Sequence, residues 1–93
     1  MKFEWDGEKN RINQKKHGIS FEEVTSLFED TFAIVFDDPD HSEQEDHFLI
    51  IGMSVKNGVC IVSHCYREQD EVIRIISARK ATKQECNFYK KGI

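Results

Sequence analysis

One proline and five glycines punctuate 93 residues. That is too few breakers for a loop-rich chain, so regular elements should carry most of it. The three cysteines, Cys60, Cys65 and Cys86, are an odd set with no C-x-x-C spacing. This excludes a disulfide framework and fits reduced thiols in a cytoplasmic protein. Cys60 and Cys65 sit an odd number of residues apart, so on one strand they face opposite sides and cannot easily bridge. No run of 18 apolar residues exists, which excludes a membrane-spanning helix. The charged opening from Met1 to Asp6 predicts no secretory signal. Also missing are G-x-S-x-G, a glycine-rich phosphate loop, and the H-x-x-x-H and H-E-x-x-H spacings among His17, His41, His47 and His64. Nucleophile-elbow hydrolases, nucleotide-loop enzymes and zinc peptidases lose their sequence support. The acidic stretch around Asp37, Asp40 and Glu45 lacks the glycine and periodicity of a calcium loop. No metal and no cofactor is expected.

What is present is a folded composition, 39% hydrophobic and 32% charged. Its size suits one domain, 1–93, with one modest core. The formal charge of -4 hides a segregation. Residues 1–19 carry five basic side chains against three acidic ones. Residues 20–47 carry ten acidic side chains and no Lys or Arg. Residues 48–93 carry eight basic against four acidic. A non-specific nucleic-acid coat does not fit the net charge, but a local basic site beside an acidic face does.

Asp6 predicts the cap of a first helix to about Lys16, thin in apolar spacing and closed by His17-Gly18. Ser20 and Glu23 form an S-x-x-E capping box, with Ile19 and Val24 placed as a hydrophobic staple. Val24, Leu27 and Phe28 predict a second helix to about Phe28. Strands are expected over Thr31–Phe36, His47–Met53, Val59–Tyr66 and Val72–Ala78. Asn57-Gly58 is the hairpin signal between the middle pair. No linker between them is long enough for a parallel crossover. Thr82 and Glu85 repeat the capping box before a last helix over Lys83–Lys91. The expected fold is α+β: two N-terminal helices, a four-stranded antiparallel sheet, and a C-terminal helix, with the helices covering one face.

The residues left for chemistry are basic and imidazole groups: Arg67, Arg74, Arg79 and Lys80 around the last two strands, His47 at the start of another, Lys16 and His17 at a helix end. Arg74 stands inside the apolar run Val72-Ile73-Arg74-Ile75-Ile76, where a charge needs a reason. Salt bridging to a carboxylate is one; phosphate contact through the guanidinium fork is the other. RNA can be cut without a metal when its 2′-hydroxyl attacks the adjacent phosphorus. This leaves a 2′,3′-cyclic phosphate and a free 5′-hydroxyl. Such a site needs a base, an acid and cations for the growing phosphoryl charge, and histidine serves either proton role near neutral pH.

The runs Phe3-Glu4-Trp5-Asp6, Lys9, Asn13 and Lys16-His17-Gly18-Ile19-Ser20-Phe21 resemble the opening of the BrnT toxin family. Phe28 with the following acidic pair, Glu45, Ile51-Gly52 and Ile73-Arg74-Ile75-Ile76-Ser77-Ala78-Arg79-Lys80-Ala81-Thr82, then Glu85 and Tyr89, extend the likeness over nearly the whole chain. One departure is Glu45-Asp46-His47, where the family usually has an arginine at the position of His47. The resemblance implies a RelE-like fold and a ribonuclease toxin of a type II toxin–antitoxin module that inhibits translation. It also implies a BrnA-like antitoxin that neutralises the toxin by direct binding, with DNA contacted only through the antitoxin. On that footing Arg67, Arg74 and Arg79 are expected to contact phosphate, with Arg79 foremost. His47 and His17 are the proton-transfer candidates, and Lys9, Lys16 and Lys80 the RNA-backbone contacts. Asp37, Asp38, Asp40 and Glu43 are the expected antitoxin surface, in a two-plus-two assembly. A binding module without turnover, acting with the antitoxin as a transcriptional repressor, is the alternative.

Overall fold

The computed structural model describes residues 1–39 and 46–92. In chain order the elements are β1 (Lys2–Glu4), α1 (Gly7–His17), α2 (Phe21–Val24) running into a 3₁₀ turn (Thr25–Glu29), β2 (Ile34–Asp37), β3 (Phe48–Ser54), β4 (Gly58–Arg67), β5 (Val72–Lys80) and α3 (Lys83–Lys91). The sheet has five strands, not four, in the order β1-β5-β4-β3-β2. It is mixed: β1 runs parallel to β5, with Glu4 the register partner of Arg74, and every other pair is antiparallel. The parallel pair needs no local crossover, because nearly the whole chain lies between its strands.

The predicted caps form. The Asp6 carboxylate accepts from the N–H groups of Glu8 and Lys9, and Gly18 takes the left-handed conformation at φ 70° that ends α1. Both capping boxes, Ser20/Glu23 and Thr82/Glu85, are complete. The β3–β4 hairpin turns through residues 55–57 into Gly58 at φ 71°, the left-handed position that closes a three-residue loop. Glu68, Gln69 and Asp70, between β4 and β5, hold three successive left-handed conformations with no glycine among them.

Helices cover both faces of the sheet, not one. Ile19, Phe21, Val24 and Leu27 from the N-terminal helices pack on Ile50, Cys60, Val62, Ile73, Ile75 and Ala78, which form the first face. On the second face Tyr89 of α3 packs with Ile51 and Ile61. This division follows from the strands themselves, which are apolar on both sides at their centre. Helix α1 docks differently. Its buried residues are Asn10 and Asn13. The Asn13 amide donates to the carbonyls of Ala78 and Ile19, both at 2.9 Å, and accepts from the Ala78 N–H at 3.1 Å. Strand β1 has already ended at Glu4, so Asn13 takes over the hydrogen bonding of the β5 edge. Asn10 accepts from the Phe21 N–H and donates to Glu22. Among the described residues no helix is long and apolar enough to cross a membrane.

Candidate functional site

Strands β4 and β5 hold the arginines, and one irregularity decides where they point. Ser63 pairs with Ser77, but His64 pairs with Ile75, so Ile76 is an extra residue in β5. Side chains on a regular strand alternate, and Arg74 and Arg79, five residues apart, would face opposite sides. The bulge resets the alternation. Arg74 then lies beside Cys65, and Arg79 beside Ile61, on the second face. Arg67, register partner of Val72, joins them there, and Ser63 and Ser77 lie between. Counting in twos from Val72 and Arg74 would put Ile76 on the same face, and the bulge breaks that count.

Neither inner arginine hangs in solvent. Arg74 donates to Glu4 at 2.7 Å across the β1–β5 pair. Arg79 makes a two-pronged contact, donating to Glu85 at 2.8 and 2.9 Å. Glu85 in turn accepts from the Thr82 N–H at 2.8 Å, so one carboxylate caps α3 and clamps the guanidinium. The Arg79 hydrogen bonds, helped by the Thr82 N–H, hold the Glu85 carboxyl down at about 2 against a smaller burial effect. The same contact raises the Arg79 guanidinium above its ordinary value. Both pairs are partly open to water, with Arg74 31% and Arg79 41% exposed. Exposed pairs of this kind hold by about 1 kcal/mol or less, so a phosphate, which matches the fork equally well, can compete for either arginine.

His47 precedes β3 and is half-buried, and its carbonyl accepts from the Asp38 N–H at 3.0 Å. His17 ends α1. With Lys9, Lys16, Asn13, Ile76 and Ser77 it lines a cleft of about 190 Å³ at the β5 edge. Three predicted groups thus meet in one place, and Ser77 joins that cleft to the arginine face. Lys80 does not join them: it is the register partner of Cys60 and follows the first face. Of the acidic set, Asp37 ends β2 and is exposed, while Asp38 accepts from the Ser63 hydroxyl at 3.2 Å. Asp40 and Glu43 lie outside the described residues, as does Glu45. Among the described residues no three His, Cys, Asp or Glu side chains gather as a metal-binding group.

Sequence reasoning missed the carboxylate partners. Glu85 was legible only as a cap, and Glu4 only as part of a run before the first helix. It also missed His64, which is fully buried. Its Nδ1 lies 3.2 Å from the Val62 carbonyl, an acceptor only, so that nitrogen carries the proton. Nε2 then accepts from the Tyr66 hydroxyl at 3.3 Å. Burial pushes the His64 imidazole below its ordinary value, which favours the neutral ring.

No protein of curated function matches the chain. Among solved structures, the crystal structure of the Brucella abortus ribonuclease toxin BrnT, at 1.1 Å resolution, is 28% identical. The match covers 89% of this chain and 99% of that one, with a TM-score of 0.69. Residues 5–85 match the family described as "Ribonuclease toxin, BrnT, of type II toxin-antitoxin system". With residues 5–85 matching the family and the fold shared with a member over most of the chain, the chain belongs to the BrnT family of ribonuclease toxins.

Proposed function

We propose that the chain is a metal-independent endoribonuclease that inhibits translation by cutting RNA and is neutralised by a BrnA-like antitoxin. The observation that carries this reading is the bulge at Ile76, which gathers Arg67, Arg74 and Arg79 onto one face of the sheet. Three cations strung along one surface suit successive phosphates of an RNA backbone, and a guanidinium at the attacked one meets the charge that grows as the 2′-hydroxyl attacks. Arg79 stands foremost, because its fork is already set for two oxygens. His47 on the approach to β3 and His17 in the basic cleft are the proton donors and acceptors of the reading. Lys9 and Lys16 hold the flanking backbone, and Ser77 links their cleft to the arginines. The antitoxin is drawn by the acidic stretch that begins at Glu22 and ends at Asp46, and it alone carries the complex to DNA.

Incubating the purified chain with RNA tests this. Cleavage should leave 2′,3′-cyclic phosphate ends and survive excess chelator. Activity that disappears with chelator and returns with a divalent cation defeats the metal-free mechanism. Equal cutting by wild type and Arg79→Ala defeats the assignment of Arg79.

A second reading has its own observation. Arg74 and Arg79 are both held by carboxylates, and His47 stands in the usual arginine position of the family. A chain so quenched would act chiefly as a binding module in an antitoxin-led repressor. Induced expression separates the two: growth arrest with falling translation supports the enzyme, and unchanged growth with a tight antitoxin complex supports the module.

A further inference from the structure

The first face of the sheet is covered at one end by α2 and the 3₁₀ turn. Among the described residues the other end is open, and three clefts meet there. Two, of about 460 and 420 Å³, share Tyr66. The third, about 440 Å³, joins them through Asp70 and Met1. Together they make a trough along the first face, from β1 towards β2. Its floor is aromatic. The Phe28 and Tyr66 rings stand 5.1 and 5.3 Å from His64, and Phe48 lies 5.5 Å from Tyr66. Val35, 48% exposed, lines its far side.

The rim is acidic. Glu29, Asp46, Glu68, Asp70 and Glu71 line the clefts, against Lys2 as the one basic lining residue among those described. Asp37, register partner of Phe48, stands on the same face. Glu68 and Asp70 reach the rim from the left-handed turn between β4 and β5.

We propose that this trough is the docking site for a basic amphipathic segment of a protein partner, with an apolar side chain seated against Phe28, Tyr66 and Val35, and Lys or Arg side chains met by the rim carboxylates. The aromatic floor rewards an apolar anchor and, beside the rim, a cation over a ring. The rim repels RNA phosphate, so substrate does not belong here. It equally repels a second copy of this chain, which would bring the same carboxylates against themselves. The proposal rests on the reading that a partner protein neutralises the chain. It gives that partner a face opposite the arginines, so that binding need not cover the cleavage surface directly.

The test uses a purified BrnA-like antitoxin from the same genome and the full chain. Val35→Glu, and separately the pair Glu29→Lys with Glu71→Lys, should each weaken binding tenfold or more. Val55→Glu, at a site 91% exposed in the β3–β4 turn, should bind as wild type. RNA cutting by all of them without partner should be unchanged. In the wild-type complex, amide exchange should slow over Thr25–Glu29 and Tyr66–Ile73. Wild-type affinity in both trough variants, or slowed exchange confined to α3, overturns the trough. A wild-type chain that binds no such partner overturns the partner reading itself.

Discussion

Glu85 holds both prongs of the Arg79 guanidinium while its own backbone N–H, and that of Thr82, complete the cap of α3. One carboxylate therefore couples the start of a helix to the foremost cation of the proposed site. Arg79→Ala should lower RNA cleavage by about 10²-fold or more, the usual cost of removing a transition-state charge partner. Glu85→Gln should do the reverse at the binding step. It frees the fork from a competing anion, so KM for RNA should fall, while the cap survives, because glutamine also accepts from the Thr82 N–H, and loss of the partly exposed ion pair costs about 1 kcal/mol or less in a denaturant titration. A higher KM in Glu85→Gln would mean that Glu85 orients Arg79 rather than occupies it.

Stability should fail at two ends of the pH scale for two named reasons. The Glu85 carboxyl lies at about 2 in the folded chain and near its ordinary carboxylate value when unfolded. Its contribution is therefore complete above about pH 4.5 and lost as pH falls towards 2. The Tyr89 hydroxyl donates to Asp30 at 2.5 Å, which, with burial, pushes it up to about 12. Its contribution is complete below about pH 10 and lost as pH rises towards 12. Thermal melts against pH should show both limbs, the acid limb shallower in Glu85→Gln and the alkaline limb shallower in Tyr89→Phe.

Asn13→Ala should destabilise the chain by about 2–4 kcal/mol, because it removes three hydrogen bonds and strands the buried N–H and carbonyl of Ala78. Asn13→Asp should cost a similar amount, since a carboxylate cannot donate to the Ala78 and Ile19 carbonyls. Urea unfolding measures both. A loss under about 0.5 kcal/mol for Asn13→Ala, the range of a surface change, would mean that α1 docks by other contacts.

Gln69→Gly should raise stability by about 1 kcal/mol. Gln69 holds φ 58° in the β4–β5 turn, a conformation that costs a side-chain-bearing residue about that much and costs glycine little. The same melt on Gln14→Gly, in the exposed part of α1, should show a loss of similar size.

The local signals were legible and the non-local ones were not. Ser20/Glu23 and Thr82/Glu85 announced helix starts because a capping box is complete within four residues. Asn57-Gly58 announced a hairpin for the same reason. β1 was missed because three residues, Lys2–Glu4, carry no periodicity, and the partner that makes them a strand lies at Val72–Arg74. The short second helix was expected as one element to Phe28; it tightens to 3₁₀ geometry at Thr25. The arginines of the site were legible as residue types, but their shared face was not, since counting along β5 places Arg74 and Arg79 on opposite sides. The thin apolar pattern of α1 was read correctly. What it meant, docking through Asn10 and Asn13, needed the sheet edge in view.

Ile76 makes the arginine surface depend on arithmetic more than on chemistry. Many side chains could stand at the bulge, because what it supplies is one residue of length between two charged positions. Point substitution there should be forgiving, and so should loss of that one residue, because Arg74 and Arg79 would then stand four apart on a regular strand and still share a side. What the surface cannot survive is the bulge straightening with its extra residue still in the strand, which would send Arg79 and Ala78 to each other's side of the sheet.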